Sequence, residues 1–179
     1  MSNWDISTFT GIHFRFDDPE FCIEDIAHSL ANLCRFNGHC KKFYSVAQHS
    51  VLAHLEAKEH PKEALMHDAV EAYMGDMIIP IKNYLLWADQ RKWQSLYFKI
   101  EAKLARHFNL KHPWPSEIKM IDKMLLATEA RDLMIDKGKG WLIFGPDVEV
   151  KVLPLDISIH PWTTETAEHR FLEAWERLK

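Results

Sequence analysis

Apolar side chains recur at intervals of three and four along most of the chain, the signature of helices that bury one face. From Glu24, residues Ile26, Ala27, Leu30, Ala31, Leu33 and Cys34 share a face and predict a helix to about Arg35, which Asn37-Gly38-His39 breaks. Ser45-Val46-Ala47-Gln48 has the form of a capping box, a serine that can cap a helix start and a glutamine that can reach back. The helix it opens carries His49 and runs to about Lys58. Pro61 suits a first helical position, so a further helix is expected to about Tyr73, ended by Gly75. Pro80 starts a short helical piece to about Trp87, and residues 90–108 form an amphipathic helix with Trp93, Leu96, Tyr97, Ile100, Leu104 and Phe108 inward. Pro113 and Pro115 separate it from a long helix, Ser116 to about Asp136, with Ile118, Ile121, Leu125 and Leu126 inward. A last helix spans about Thr163 to Leu178. Two stretches read differently. Thr8 to Phe16 alternates like a hairpin arm, and Trp141 to Ile159, punctuated by Gly145, Pro146 and Pro154, reads as strand-like.

Polar groups interrupt the apolar faces at a few places. In Leu65-Met66-His67-Asp68-Ala69-Val70-Glu71-Ala72-Tyr73-Met74-Gly75-Asp76 a histidine and an aspartate stand side by side among apolar neighbours, and two more carboxylates follow. Burying such groups is expensive unless they are paired or bind a metal. His49 and Asp122 lie on or beside the inward stripes of two other helices. Inward groups from separate helices are how metal centres are built in helical bundles, and two imidazoles with two carboxylates suit Zn, Co, Mn, Fe or Ni.

Composition narrows the class. A chain of 179 residues with 47% hydrophobic and 27% charged residues is long enough for one domain, 1–179, with a substantial core. A net charge of -4 leaves no basic footprint, which argues against nucleic acid as the main partner. The N-terminus has no signal-peptide pattern, no run is long enough to span a membrane, and three cysteines in no recognised spacing fit a reducing cytoplasm. Cys34, His39 and Cys40 lack the paired short spacings of zinc sites and are set aside. Glu129, Arg131 and Asp132 read as helix-face or subunit ion pairs.

The order His49, His67-Asp68, Asp122 resembles the HD-domain phosphohydrolase superfamily. The surrounding residues extend the match: Arg35-Phe36, Phe43-Tyr44-Ser45-Val46-Ala47-Gln48-His49-Ser50, His67-Asp68 to Gly75-Asp76, and Pro80-Ile81-Lys82. They are similar to the 5′-deoxynucleotidase-like branch, and within it to phage dATP triphosphohydrolases. The resemblance implies an all-α HD-domain bundle, with a small β-hairpin-like addition from the N- and C-terminal parts. It implies that His49, His67, Asp68 and Asp122 hold one divalent transition metal, and that a second ion, Mg or Mn, can accompany the substrate phosphates. Glu71 would orient or deprotonate the attacking water, and Asp76 would protonate the leaving group or help hold the second ion. Arg35 and Lys82 would bind phosphate and Phe36 would stack on the base. The implied substrate is a deoxynucleotide, most closely dATP. The implied setting is the cytoplasm, that of the host if phage-encoded, and the implied assembly is a homo-oligomer, dimer or hexamer. A 5′-deoxynucleotidase acting on monophosphates and a non-catalytic nucleotide-binding module remain as alternatives. A cyclic-nucleotide phosphodiesterase would call for further ligand histidines, and His107 and His112 sit at a helix end and before a proline.

Overall fold

A computed structural model describes residues 5–88, 91–139, 141 and 152–179. Strands β1 (Asp5–Ser7) and β2 (His13–Arg15) form an antiparallel hairpin with Ile6 opposite Phe14. The helices that follow are α1 (Ile23–Asn32), α2 (Val46–Glu56), α3 (Pro61–Met66), α4 (Glu71–Met74), α5 (Ile79–Trp87), α6 (Arg91–His107), α7 (Ser116–Leu133) and α8 (Thr164–Arg177). A 3-10 turn at Arg35–Gly38 lies between α1 and α2. The fold is mostly helical, as the spacing predicts, and among the described residues the hairpin comes from the N-terminal part alone.

The main apolar cluster joins Phe14 of the hairpin to Ile26 and Leu30 of α1, Val46 of α2, Leu65 of α3 and Phe171 of α8. Each of these side chains is fully buried, and burying such a residue contributes roughly 1.5–3 kcal/mol. A second cluster packs Ala53 and Ala64 against Ile118, Ile121 and Leu125 of α7. Helix α2 therefore has α1 and α8 on one side and α7 on another, and whatever polar groups it turns towards α7 are enclosed.

Three elements depart from the periodicity. The helix expected from Pro61 to Tyr73 is interrupted at residues 67–70, where N–H groups reach back three residues: Ala69 to Met66 at 3.0 Å, Glu71 to Asp68 at 2.9 Å and Tyr73 to Val70 at 3.1 Å. The tighter winding begins where the His67 side chain itself takes the Ala64 carbonyl. The strand-like stretch expected over Trp141–Ile159 falls largely outside the described residues, and its described part, 152–159, forms no strand. There the backbone is satisfied by side chains. Leu155 N donates to Thr128, Arg131 donates to the Leu155 and Ile157 carbonyls, and Ile159 N donates to Asp132. Finally, α5 forms where Pro80 predicts it but buries none of its residues, leaving Tyr84, Leu86 and Trp87 exposed.

Candidate metal centre

Ser45 begins the centre. Its hydroxyl accepts the backbone N–H of Gln48 at 3.1 Å, capping α2 as expected. The glutamine side chain does not complete the box. It is buried, donates to the His160 carbonyl and accepts from Trp162 N, tying the approach to α8 onto α2. The next residue, His49, is fully buried and faces α7 and the 67–70 turn.

The four expected ligands converge. His49 Nε2 lies 3.3 Å from His67 Nε2, 3.5 Å from Asp68 Oδ2 and 3.3 Å from Asp122 Oδ1. His67 Nε2 is 3.4 Å from Asp68 Oδ2. Asp122 is the outermost of the set, its side chain 45% accessible against none for His49. The outer nitrogens of both rings are engaged: His67 Nδ1 with the Ala64 carbonyl at 2.8 Å, His49 Nδ1 with Glu129 Oε1 at 2.6 Å. A carbonyl only accepts, and a carboxylate beside buried cationic partners is ionised, so both Nδ1 atoms are the N–H donors. With both rings neutral, each Nε2 presents a lone pair to the other and to the carboxylate oxygens. Without an ion, Glu129 and Asp122 overcome burial and Arg35 and raise His49 to about 10, so a proton shares that space. Acceptors gathered this closely repel unless a proton or a metal cation lies among them. The residues fit a divalent metal, and His49, His67 and Asp68 offer atoms all within 4.8 Å of one another.

Sequence reasoning missed Glu129. It is neither a helix-face nor a subunit group: it is fully buried, with Tyr44 Oη donating at 2.9 Å, His49 at 2.6 Å and Arg35 Nη2 at 3.1 Å. Burial would raise its carboxyl, but Arg35, His49 and Tyr44 together hold it below the usual range. The available signal was its place on α7, two turns after Asp122 and therefore on the same face. Arg131 and Asp132 pair with each other on α7, as the helix-face reading expects, and also bond the 155–159 backbone.

The remaining candidates gather around a cavity of about 590 Å³, which Arg35, Phe36, Asp68, Glu71, Asp76, Lys82 and Asp122 all line. Arg35 arrives through a short antiparallel pairing, its N–H on the Tyr44 carbonyl at 2.9 Å and Val46 N–H on the Leu33 carbonyl at 3.0 Å. It is buried, its Nη1 lies 3.5 Å from Asp68 Oδ2, and its Nε has no hydrogen-bond partner among the described residues. Phe36 and Asn37 follow in the left-handed region at φ 56° and 51°, each at a cost of roughly 1–2 kcal/mol for an L-residue. Phe36 packs 5.6 Å from Trp141, an aromatic wall of the cavity that the sequence did not single out. Glu71 is buried with Oε2 unpartnered, and Lys82 Nζ is 3.7 Å from its Oε1. Burial, then the Asp68 and Asp76 carboxylates, push the Glu71 carboxyl well up. Burial likewise raises Asp76, with Arg35 opposing and Asp68 adding. Gly75, at φ 79°, ends α4 and brings Asp76 round to the cavity.

No protein-family model matches the chain. It is similar to YfdR, an uncharacterized protein of Escherichia coli strain K12, with 42% identity over 157 residues covering 84% of this chain and 85% of that one. It is also similar to an uncharacterized protein of Rhodobacter capsulatus, with 35% identity over 155 residues covering 78% and 76% of the two chains.

Proposed function

The chain belongs to the family of the Escherichia coli protein YfdR, and for it we propose a metal-dependent phosphohydrolase of the HD-domain type that acts on deoxynucleotides. One observation carries the reading: His49 Nε2, His67 Nε2 and Asp68 Oδ2 lie within 3.5 Å of one another, with Asp122 Oδ1 3.3 Å from His49 Nε2, beside a cavity that also holds a buried glutamate and two cations. His49, His67, Asp68 and Asp122 would hold the metal. Bound there, a divalent ion polarises a phosphoryl oxygen and lowers the pKa of a water towards neutrality.

The rest is done by side chains. Glu71, buried at the cavity and raised by burial and by its acidic neighbours, is placed to take a proton from the attacking water. Asp76, also raised, is suited to give one to the leaving group. Arg35 offers its guanidinium and Lys82 a point charge to phosphate oxygens, and Phe36 with Trp141 gives a flat apolar surface for a base. A cavity of about 590 Å³ falls in the usual size range for small-molecule sites.

The resemblance to phage dATP triphosphohydrolases favours a dNTP, dATP first, as substrate, with Mg or Mn on its phosphates. A 5′-deoxynucleotidase is the second reading, and one feature favours it: Arg35 and Lys82 are the only Lys or Arg among the described lining residues, few for a triphosphate. The exposed Tyr84, Leu86 and Trp87 of α5 support homo-oligomerisation. The test is product analysis with each dNTP and dNMP plus Mn or Co. Triphosphate release from dATP supports the first reading and orthophosphate from a monophosphate the second. His67→Ala and Asp122→Ala should abolish bound metal and turnover together. No turnover of any nucleotide by the wild type would leave the chain a non-catalytic binding module.

A further inference from the structure

The buried carboxylate of Glu129 touches both halves of the site. On one side its Oε1 accepts from His49 Nδ1 at 2.6 Å and from Tyr44 Oη at 2.9 Å. On the other its Oε2 accepts from Arg35 Nη2 at 3.1 Å. Among the described residues Arg35 has one other ion-pair partner, Asp68, at the longer distance of 3.5 Å, so Glu129 is what fixes the guanidinium. Neither Glu129 nor Tyr44 is accessible to solvent, and no water can replace a lost bond without the packing being opened.

We propose that Glu129 is a positioning residue with two separable tasks: through Oε1 it keeps His49 in the tautomer that presents Nε2 to a metal ion, and through Oε2 it holds Arg35 at the phosphate-binding side of the cavity. The proposal rests on the reading of His49, His67, Asp68 and Asp122 as a metal site. It adds that metal affinity and phosphate affinity are set by different oxygens of one side chain. Hydrogen-bond partners of metal-ligating histidines commonly change metal affinity by 10–100-fold when removed.

The two tasks separate because a carboxylate has two acceptor oxygens and a carboxamide has one. In Glu129→Gln the single oxygen can satisfy either His49 and Tyr44 or Arg35. Placed on the Oε1 side it keeps two donors and turns its NH2 towards Arg35 Nη2, donor against donor. Placed the other way it would lose two donors to keep one and would force His49 into the wrong tautomer. The first arrangement wins, so the glutamine spares the metal side and releases the arginine.

The experiment compares wild type, Glu129→Gln, Tyr44→Phe, Arg35→Gln and the Glu129→Gln/Arg35→Gln double variant, all full-length. Chelator-stripped protein is titrated calorimetrically with Mn(II), and the Mn(II)-loaded protein with inorganic phosphate. Expected for Glu129→Gln is Mn(II) affinity within about threefold of wild type and phosphate affinity down tenfold or more. Adding it to Arg35→Gln should weaken phosphate no further. Tyr44→Phe, which leaves both His49 and Arg35 their partners, should keep both affinities near wild type. If Glu129→Gln weakens both ligands alike, or neither, or if its effect on phosphate adds to that of Arg35→Gln, the division of labour is wrong. Wild type that binds Mn(II) but not phosphate removes the role given to Arg35 and this inference with it. Wild type that binds no Mn(II) overturns the metal reading itself, a distinguishable failure.

Discussion

At the scale of single residues, Glu71 is the sharpest case. It is 3% exposed and one of its oxygens has no partner among the described residues, an arrangement a purely structural glutamate would not keep, because an unsatisfied buried acceptor costs about 1–3 kcal/mol. Glu71→Gln preserves size and removes basicity. It is expected to retain the metal, measured by elemental analysis, and to lower kcat by roughly 10²–10⁴. Equal loss of metal and rate would make Glu71 a ligand, and an unchanged rate would remove its role. The four converging residues were legible because histidines and aspartates on apolar stripes have few explanations, and the resemblance narrowed them further. Glu129 was not, since a helical glutamate near an arginine and an aspartate looks like any solvated face. Only the packing of α7 on α2 shows that this one lies inside.

At the scale of elements, periodicity predicted where helices lie and failed where side chains take over backbone bonds. The 67–70 turn could not be read from hydrophobic spacing, because its tighter winding starts from a histidine bonded to a carbonyl three residues back. The 152–159 segment carries strand-forming residues, yet Thr128, Arg131 and Asp132 supply its partners in place of a second strand. A third such contact supports α3, the short helix that delivers His67. Glu117, in the first turn of α7, accepts the N–H groups of Lys58 at 2.9 Å, Glu59 at 3.2 Å and His60 at 3.0 Å, just ahead of Pro61. The Lys58 bond lowers its carboxyl below the usual value of 4.5, with burial opposing and the Glu59 and His60 bonds adding to the lowering. A carboxylate depressed in the folded state stabilises fully above its unfolded pKa, and that contribution is lost as pH falls through the folded value. Glu117→Gln should therefore melt lower than wild type at pH 7, with the gap closing below roughly pH 4. Melts at the two pH values check this, and a gap that widens in acid would show that the carboxylate charge is not what matters.

Across the whole molecule, the centre draws on parts of the chain that hydrophobic packing keeps in separate clusters. His49 stands on α2, between the cluster that includes α1 and α8 and the one built on α7; His67 and Asp68 follow α3; Asp122 comes from α7. Folding thus gathers His49 Nε2, His67 Nε2 and Asp68 Oδ2 within 3.3–3.5 Å of one another, with Asp122 Oδ1 3.3 Å from His49 Nε2, so on the proposed reading a bound cation would relieve a crowding that folding creates. An ion that binds only the folded chain stabilises it by RT ln(1 + [L]/Kd), about 2.7 kcal/mol at a hundredfold excess over Kd. For a chain of this length each kcal/mol moves Tm by about 2–4 °C. Chelator-stripped wild type should then gain roughly 5–10 °C on addition of Mn(II) or Co(II) at that excess. His67→Ala and Asp122→Ala should gain little, and their stripped forms should melt no lower than the loss of a few side-chain contacts allows, because each also removes one of the repelling acceptors. A wild-type Tm unmoved by any of these ions would mean the converging lone pairs are met in another way, by protons or water, and the metal reading would fall at the scale where it has the most to explain.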